Sequence, residues 1–80
     1  MTSVVAQAAD LMRAQIRAGQ RQPGRALPSH AKLARELHVG INSMSYAMRI
    51  LAEEGYVEVR KGEGTFVRPA FAWPAAETSP

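Results

Sequence analysis

Apolar positions fall on a helical stripe three times in this chain before their period changes. Val5, Ala8, Ala9, Met12 and Ile16 stand at i, i+3, i+4, i+7 and i+11. That is the spacing of one helix face, and it predicts a first helix over about Ser3 to Ala18, stopped by Gly19. The stretch GQRQPGRALP follows as an ordered loop, with a turn at Pro23-Gly24 and with Pro28 barring helix until Ser29. Leu33, Ala34 and Leu37 then give a short second helix its apolar face. The Ser29 hydroxyl can cap its start, although Lys32 stands where the Glu or Gln of a capping box would reach back. His38 ends it, histidine being one of the few residues besides glycine that enters the left-handed region readily. After the tight turn HVG, a third helix of about 41–54 repeats the stripe with Met44, Ala47, Met48 and Leu51. Gly40 is its N-cap and Gly55 its stop.

The period then drops to two. YVEVR, residues 56–60, alternates as a strand does and sets Val57 and Val59 on one face. KGEG reads as a turn and TFVR as the returning strand, which together make a β-hairpin. Beyond Arg68 the composition shifts to PAFAWPAAETSP, a Pro/Ala-rich tail or start of a linker over residues 69–80, expected to be largely irregular. Two helices joined by a tight turn and followed by a ribbon define the fold class: α+β, a winged helix-turn-helix of three helices and a two-stranded wing over residues 1–68.

Composition narrows the partner. Eighty residues make one small domain, and the chain has no cysteine, which rules out disulfides and thiolate metal sites. No apolar run approaches a membrane span and no signal peptide opens the chain, so a soluble cytoplasmic protein is expected. The formal charge is +3, and its distribution is uneven. Arg13, Arg17, Arg21, Arg25, Lys32 and Arg35 follow one another with no acid between them, whereas Glu53, Glu54, Glu58 and Glu63 gather later. A nucleic acid suits such a cationic stretch first and an anionic membrane second; a merely solvated face accounts for the charge equally well.

With its apolar stripe turned inward, the third helix shows Asn42, Ser43, Ser45, Tyr46 and Arg49 on its opposite face. Asparagine and serine are weak formers of helix interiors, so their presence there calls for a reason. A helix lying in the major groove of double-stranded DNA supplies one. Asn can bond an adenine edge through two atoms, Ser pairs with several base edges, and hydroxyls bond phosphates. At the ribbon tip, Arg60, Lys61, Gly62, Gly64 and Thr65 suit a minor groove or its phosphate rims, with Glu63 an unhelpful charge. Arg13, Arg17, Arg25, Ser29, His30 and Lys32 are further candidates for phosphate contacts. His30 and His38 lack the close acidic or thiol partners of a metal site, and Met44 with Met48 is read as core. No nucleophile–base pair, carboxylate pair or phosphate loop is visible, so neither an enzyme nor a cofactor is expected. Phe71 and Trp73 are open to packing on the domain, on a partner or on nothing.

The run LPSHAKLARELHVGINSMSYAMRILAEEGYVEVRKGEGTFV, with IRAGQRQPGRALPS upstream of and overlapping it, resembles the winged helix-turn-helix of the GntR family of bacterial transcription regulators. The most specific features are Leu27-Pro28-Ser29, Glu53-Glu54-Gly55 and Gly62-Glu63-Gly64-Thr65-Phe66-Val67. The resemblance implies a homodimer on a palindromic operator, acting as a repressor, with a C-terminal effector-binding domain after the wing. The chain also departs from the family pattern. Ile41 and Ser45 stand where family arginines commonly read guanines, His30-Ala31 replaces a frequent acid–arginine pair, His38 a glycine, and Gly40 a serine. The competing reading is a winged-helix module that docks proteins without reading DNA.

Overall fold

The computed structural model describes residues 3–74. Three helices, α1 (Val4–Arg17), α2 (His30–Leu37) and α3 (Ile41–Glu54), precede an antiparallel ribbon of β1 (Val57–Arg60) and β2 (Gly64–Val67). A single 3-10 turn, Ala70–Ala72, follows. Helix bounds and caps agree with the sequence reading. Ser3 accepts from the Ala6 N–H at 3.0 Å and Ser29 from the Lys32 N–H at 3.2 Å, each filling an orphan donor of a first turn. His38 takes the left-handed φ of +58°, and the next N–H, of Val39, turns back to the Ala34 carbonyl at 2.9 Å.

The third helix is the centre of the domain, with α1, α2 and β1 all packed against it. Its Met44, Ala47, Met48 and Leu51 meet Ala8, Ala9, Met12 and Ile16 of α1, Leu33 and Ala34 of α2, and Tyr56, Val57 and Val67 of the ribbon in one buried cluster. This arrangement fixes the polar face of α3 outward. The helix stops at Gly55, whose φ is +98°, and the Tyr56 N–H reaches back to the Leu51 carbonyl at 3.0 Å. Both side chains are buried, so the backbone reversal carries the apolar contact that accompanies such a stop. A Cβ at position 55 would lie 3.2 Å from the Ala72 carbonyl oxygen and would force a left-handed φ on an L residue. Gly55→Ala is therefore expected to destabilise the domain by more than about 1 kcal/mol, read from the midpoint of urea unfolding.

The ribbon differs from expectation in two respects. The return strand begins at Gly64, paired with Arg60, so the tip is Lys61-Gly62-Glu63 rather than four residues. It closes because Gly62 adopts a φ of +79° and the Glu63 N–H donates to the Arg60 carbonyl at 2.9 Å. Val57 is buried but Val59, two residues on, is 64% exposed: the ribbon has left the core by its second half, and alternation alone does not reveal where. β2 is covered on its other edge by the first loop. Gly24 and Leu27 donate to the Val67 and Thr65 carbonyls at 3.1 and 2.7 Å, and Ala26 bridges Phe66.

In the tail, one of the two aromatics packs on the domain. Trp73 lies on Tyr56 with ring centroids 5.9 Å apart, and its Nε1–H donates to the Arg68 carbonyl at 2.6 Å. An aromatic with an N–H handle gains from this burial, whereas Phe71 remains 89% exposed. The rest of the tail, 75–80, falls outside the described residues. No helix among those described is long and apolar enough to cross a membrane.

Candidate nucleic-acid interface

Four of the five residues expected on the reading face stand together. Asn42, Ser45, Tyr46 and Arg49 are exposed and line one shallow depression along α3. The Arg49 guanidinium lies 5.5 Å from the centre of the Tyr46 ring, a cation–π contact that holds both side chains along the helix. Ser43 is different. Its position turns it toward the flank of α3, beside the half-buried Ile50, and it is itself half-buried.

The start of α2 adjoins this face. His30 Nδ1 and Ser45 Oγ are 3.2 Å apart, which pins the first turn of α2 to the second turn of α3. His30, Ser45, Met48, Arg49, Ala52 and Val59 line a second groove, between α2, α3 and β1. α3 itself begins at Gly40, which offers no side-chain cap, and the first turns of both helices lack acids. The partial positive charge of each N-terminus is thus left uncompensated by a carboxylate. Ser29 is exposed while its hydroxyl caps α2, and Lys32 extends from the same turn into solvent.

At the wing, Lys61, Gly62, Glu63 and Gly64 are exposed. Arg60 is less free: its guanidinium stacks 4.3 Å from the Phe66 ring centre, and Nε donates to Glu58 Oε2 at 3.2 Å. Thr65 is buried, and its carbonyl accepts from the Leu27 N–H, unlike the exposed tip around it.

Half of the acid-free cationic run is engaged inside the domain. Arg13 forms a two-pronged pair with Glu54, at 2.9 and 3.1 Å from Nη2, and a further bond to Asp10 at 2.6 Å. Burial works against its charge, but the bonds to Asp10 and Glu54 outweigh it and hold the guanidinium pKa above its ordinary value. Arg17 donates from Nε and Nη2 to the Tyr56 hydroxyl, and from Nη2 to the Pro74 carbonyl at 3.3 Å. Arg21 bonds Gln15 and Glu36, at 3.0 and 2.9 Å, tying α1 to α2. Arg13 and Arg17 therefore brace the end of α3 at Glu54 and Tyr56, the opposite end from Asn42. Both candidates for phosphate contact thus also serve as ties within the domain. Arg25 is exposed beside the first loop.

Two features of the interface were not singled out in advance. Val59, expected only to share a strand face with Val57, lines the groove beside Arg49. Arg35 is exposed on α2 and was noted only as part of the charge run. Its place on the helix opposite Leu33 and Ala34 was the available signal. Among the described residues, no group of three or more metal-ligating side chains comes together.

Comparison with known proteins adds what geometry alone does not. The family model of bacterial regulatory proteins of the gntR family matches residues 4–67. The chain belongs to the gntR family. It is 39% identical over 62 residues to the mannosyl-D-glycerate transport/metabolism system repressor MngR of Escherichia coli (strain K12), covering 78% of this chain and 26% of that protein. A GntR protein of Streptococcus agalactiae superposes with a TM-score of 0.76 at 34% identity, over 85% of this chain and 32% of that one. The DNA-binding domain of AraR, solved in complex with its operator ORE1, superposes with a TM-score of 0.77 at 25% identity, over 84% of this chain and 82% of that one. The gntR-family member thus has the family's winged-helix DNA-binding domain, and it spans about a quarter of the curated relative it matches. The matched family is one of bacterial regulatory proteins.

Proposed function

We propose that this gntR-family domain binds double-stranded DNA by laying α3 in the major groove, within a transcriptional regulator that represses as a homodimer on a palindromic operator. The observation that carries the reading is the acid-free, exposed row of Asn42, Ser45, Tyr46 and Arg49 on a helix whose other side is anchored in the core. Short amides and hydroxyls can pair with base edges without bulk, and one guanidinium adds charge toward the duplex. Lys32 and the N-terminus of α2, with His30 and Ser29, then face one phosphate strand. Arg25, Lys61 and the backbone at Gly62 and Gly64 serve the flanks, and Arg60 contributes the part of its charge that Glu58 leaves. AraR supports the mode, since its domain of the same fold is seen on an operator; MngR, a repressor by name, supports the outcome. The relatives' greater length supports a further domain, of the effector-binding kind, in the whole regulator. The proposed action on DNA implies a location in the bacterial cytoplasm.

The test is a binding titration on duplex DNA at several salt concentrations. Log affinity should fall linearly with log salt, with a slope set by the number of phosphates neutralised. A protein-docking module would show little affinity and no such slope. Lys61→Ala should weaken all sequences alike and reduce the slope by about 1, whereas Asn42→Ala and Tyr46→Ala should lower preference for the operator by about 1–3 kcal/mol each. Operator preference left intact by both of the latter would mean that α3 does not read bases.

A further inference from the structure

Apolar side chains frame the reading face. Ile41 is 52% exposed, Tyr46 56% and Val59 64%. Ile41 and Ser45 are one turn apart at the start of α3, so they share a side of the helix. Val59 lines the groove that Ser45 and Arg49 share. Within the first two turns of α3 the exposed residues are Ile41, Asn42, Ser45 and Tyr46. None of them carries the cationic fork that makes arginine the commonest reader of guanine. The only arginine of α3, Arg49, stands a turn further on with its guanidinium over Tyr46.

The major-groove edges of the bases respond to this set unequally. Guanine offers acceptors alone, adenine an acceptor beside a donor, and thymine an acceptor beside a methyl group. An asparagine amide complements adenine with both of its atoms. An exposed isoleucine has one apolar counterpart in the groove, the thymine methyl, and against cytosine or guanine its burial would strip water from polar edges without return. Serine, donor and acceptor at once, is indifferent.

We propose that the first two turns of α3 select A·T pairs, with Asn42 on an adenine edge and Ile41 packed on a thymine methyl group. This rests on the reading that α3 enters the major groove, and it adds which bases the helix prefers.

The experiment begins by selecting bound duplexes from a randomised pool with the 80-residue chain. Deoxyuridine then replaces each thymine of the selected site in turn, which removes the methyl group and keeps base pairing. Enrichment of A·T pairs is expected, together with an approximately fourfold loss of affinity at the contacted thymine, the worth of one buried methyl group. Ile41→Ala should abolish that uracil effect. Ile41→Arg combined with Ser45→Arg, both at exposed helix positions, should move the selected site toward G·C. A G·C-rich site selected by the unaltered chain, with a normal salt slope, would overturn this inference and leave DNA reading intact. So would a double variant that keeps the original site. A pool in which nothing is enriched would overturn major-groove reading and this inference with it.

Discussion

Replacing Leu51 with alanine is expected to lower the stability of the domain by about 3–5 kcal/mol, the cost of deleting a leucine side chain from a packed core and leaving a cavity. Leu51 is 0% exposed on the helix against which α1, α2 and β1 all pack. Its backbone carbonyl also receives the Tyr56 and Gly55 N–H groups that end α3, so loosening here reaches the ribbon. An 80-residue chain has about 4–12 kcal/mol of stability in all, so the variant loses a quarter or more of it. The control is the same deletion at Leu11, which is 48% exposed and should cost less than about 1 kcal/mol. Urea unfolding followed by circular dichroism measures both. Equal midpoints for the two variants would mean that α3 is not the element on which the core depends.

The fold was largely legible because its signals are local and mutually consistent. The apolar stripes, the Ser29 cap, the left-handed His38 and the glycine stop at Gly55 each depend on a few neighbouring residues, and they agree with one another. What could not be read was set by distant parts of the chain. Val59 obeys the alternation of its strand, but whether its side of the ribbon is covered depends on how far α3 extends beneath it. Thr65 looked like part of an exposed tip, and its burial goes with a loop about forty residues earlier running along β2. Trp73 packs because Tyr56 provides a ring and Arg68 a carbonyl. A local composition of proline and alanine carries no trace of either partner.

The site divides in the same way. Helical spacing was enough to assemble Asn42, Ser45, Tyr46 and Arg49, because their common face depends only on the period of α3. Ser43 sits near the edge of that face, half-buried, where small differences in packing decide exposure. Charge counting was less informative still. A run with no acid in sequence resembles a free cationic surface, but Glu54 and Glu36 approach its arginines in space, beside the local i,i+3 pair of Asp10 with Arg13. The distinction between a phosphate contact and a brace is a matter of tertiary pairing, and sequence proximity does not reveal it.

Ser45→Glu separates reading from folding most sharply, with an expected loss of DNA affinity of about thirtyfold or more and no loss of stability. Position 45 is exposed, and glutamate forms helix interiors slightly better than serine. It would also stand four residues before Arg49, the favourable order for an acid–base pair on a helix, worth about 0.2–0.5 kcal/mol. The fold therefore has no reason to weaken, even with the 3.2 Å contact between Ser45 and His30 removed, because that contact is accessible to water. Binding has two reasons to fail. A carboxylate would face the anionic duplex from the middle of the reading face, and it would draw the single arginine of that face away from DNA. A charge left unpaired in such an interface costs about 2–5 kcal/mol, about half of the roughly 4–10 kcal/mol that separates specific from general binding. Unfolding curves and duplex titrations on the same preparation check both halves. Affinity retained within a few-fold would show that the middle of α3 never comes close to the duplex.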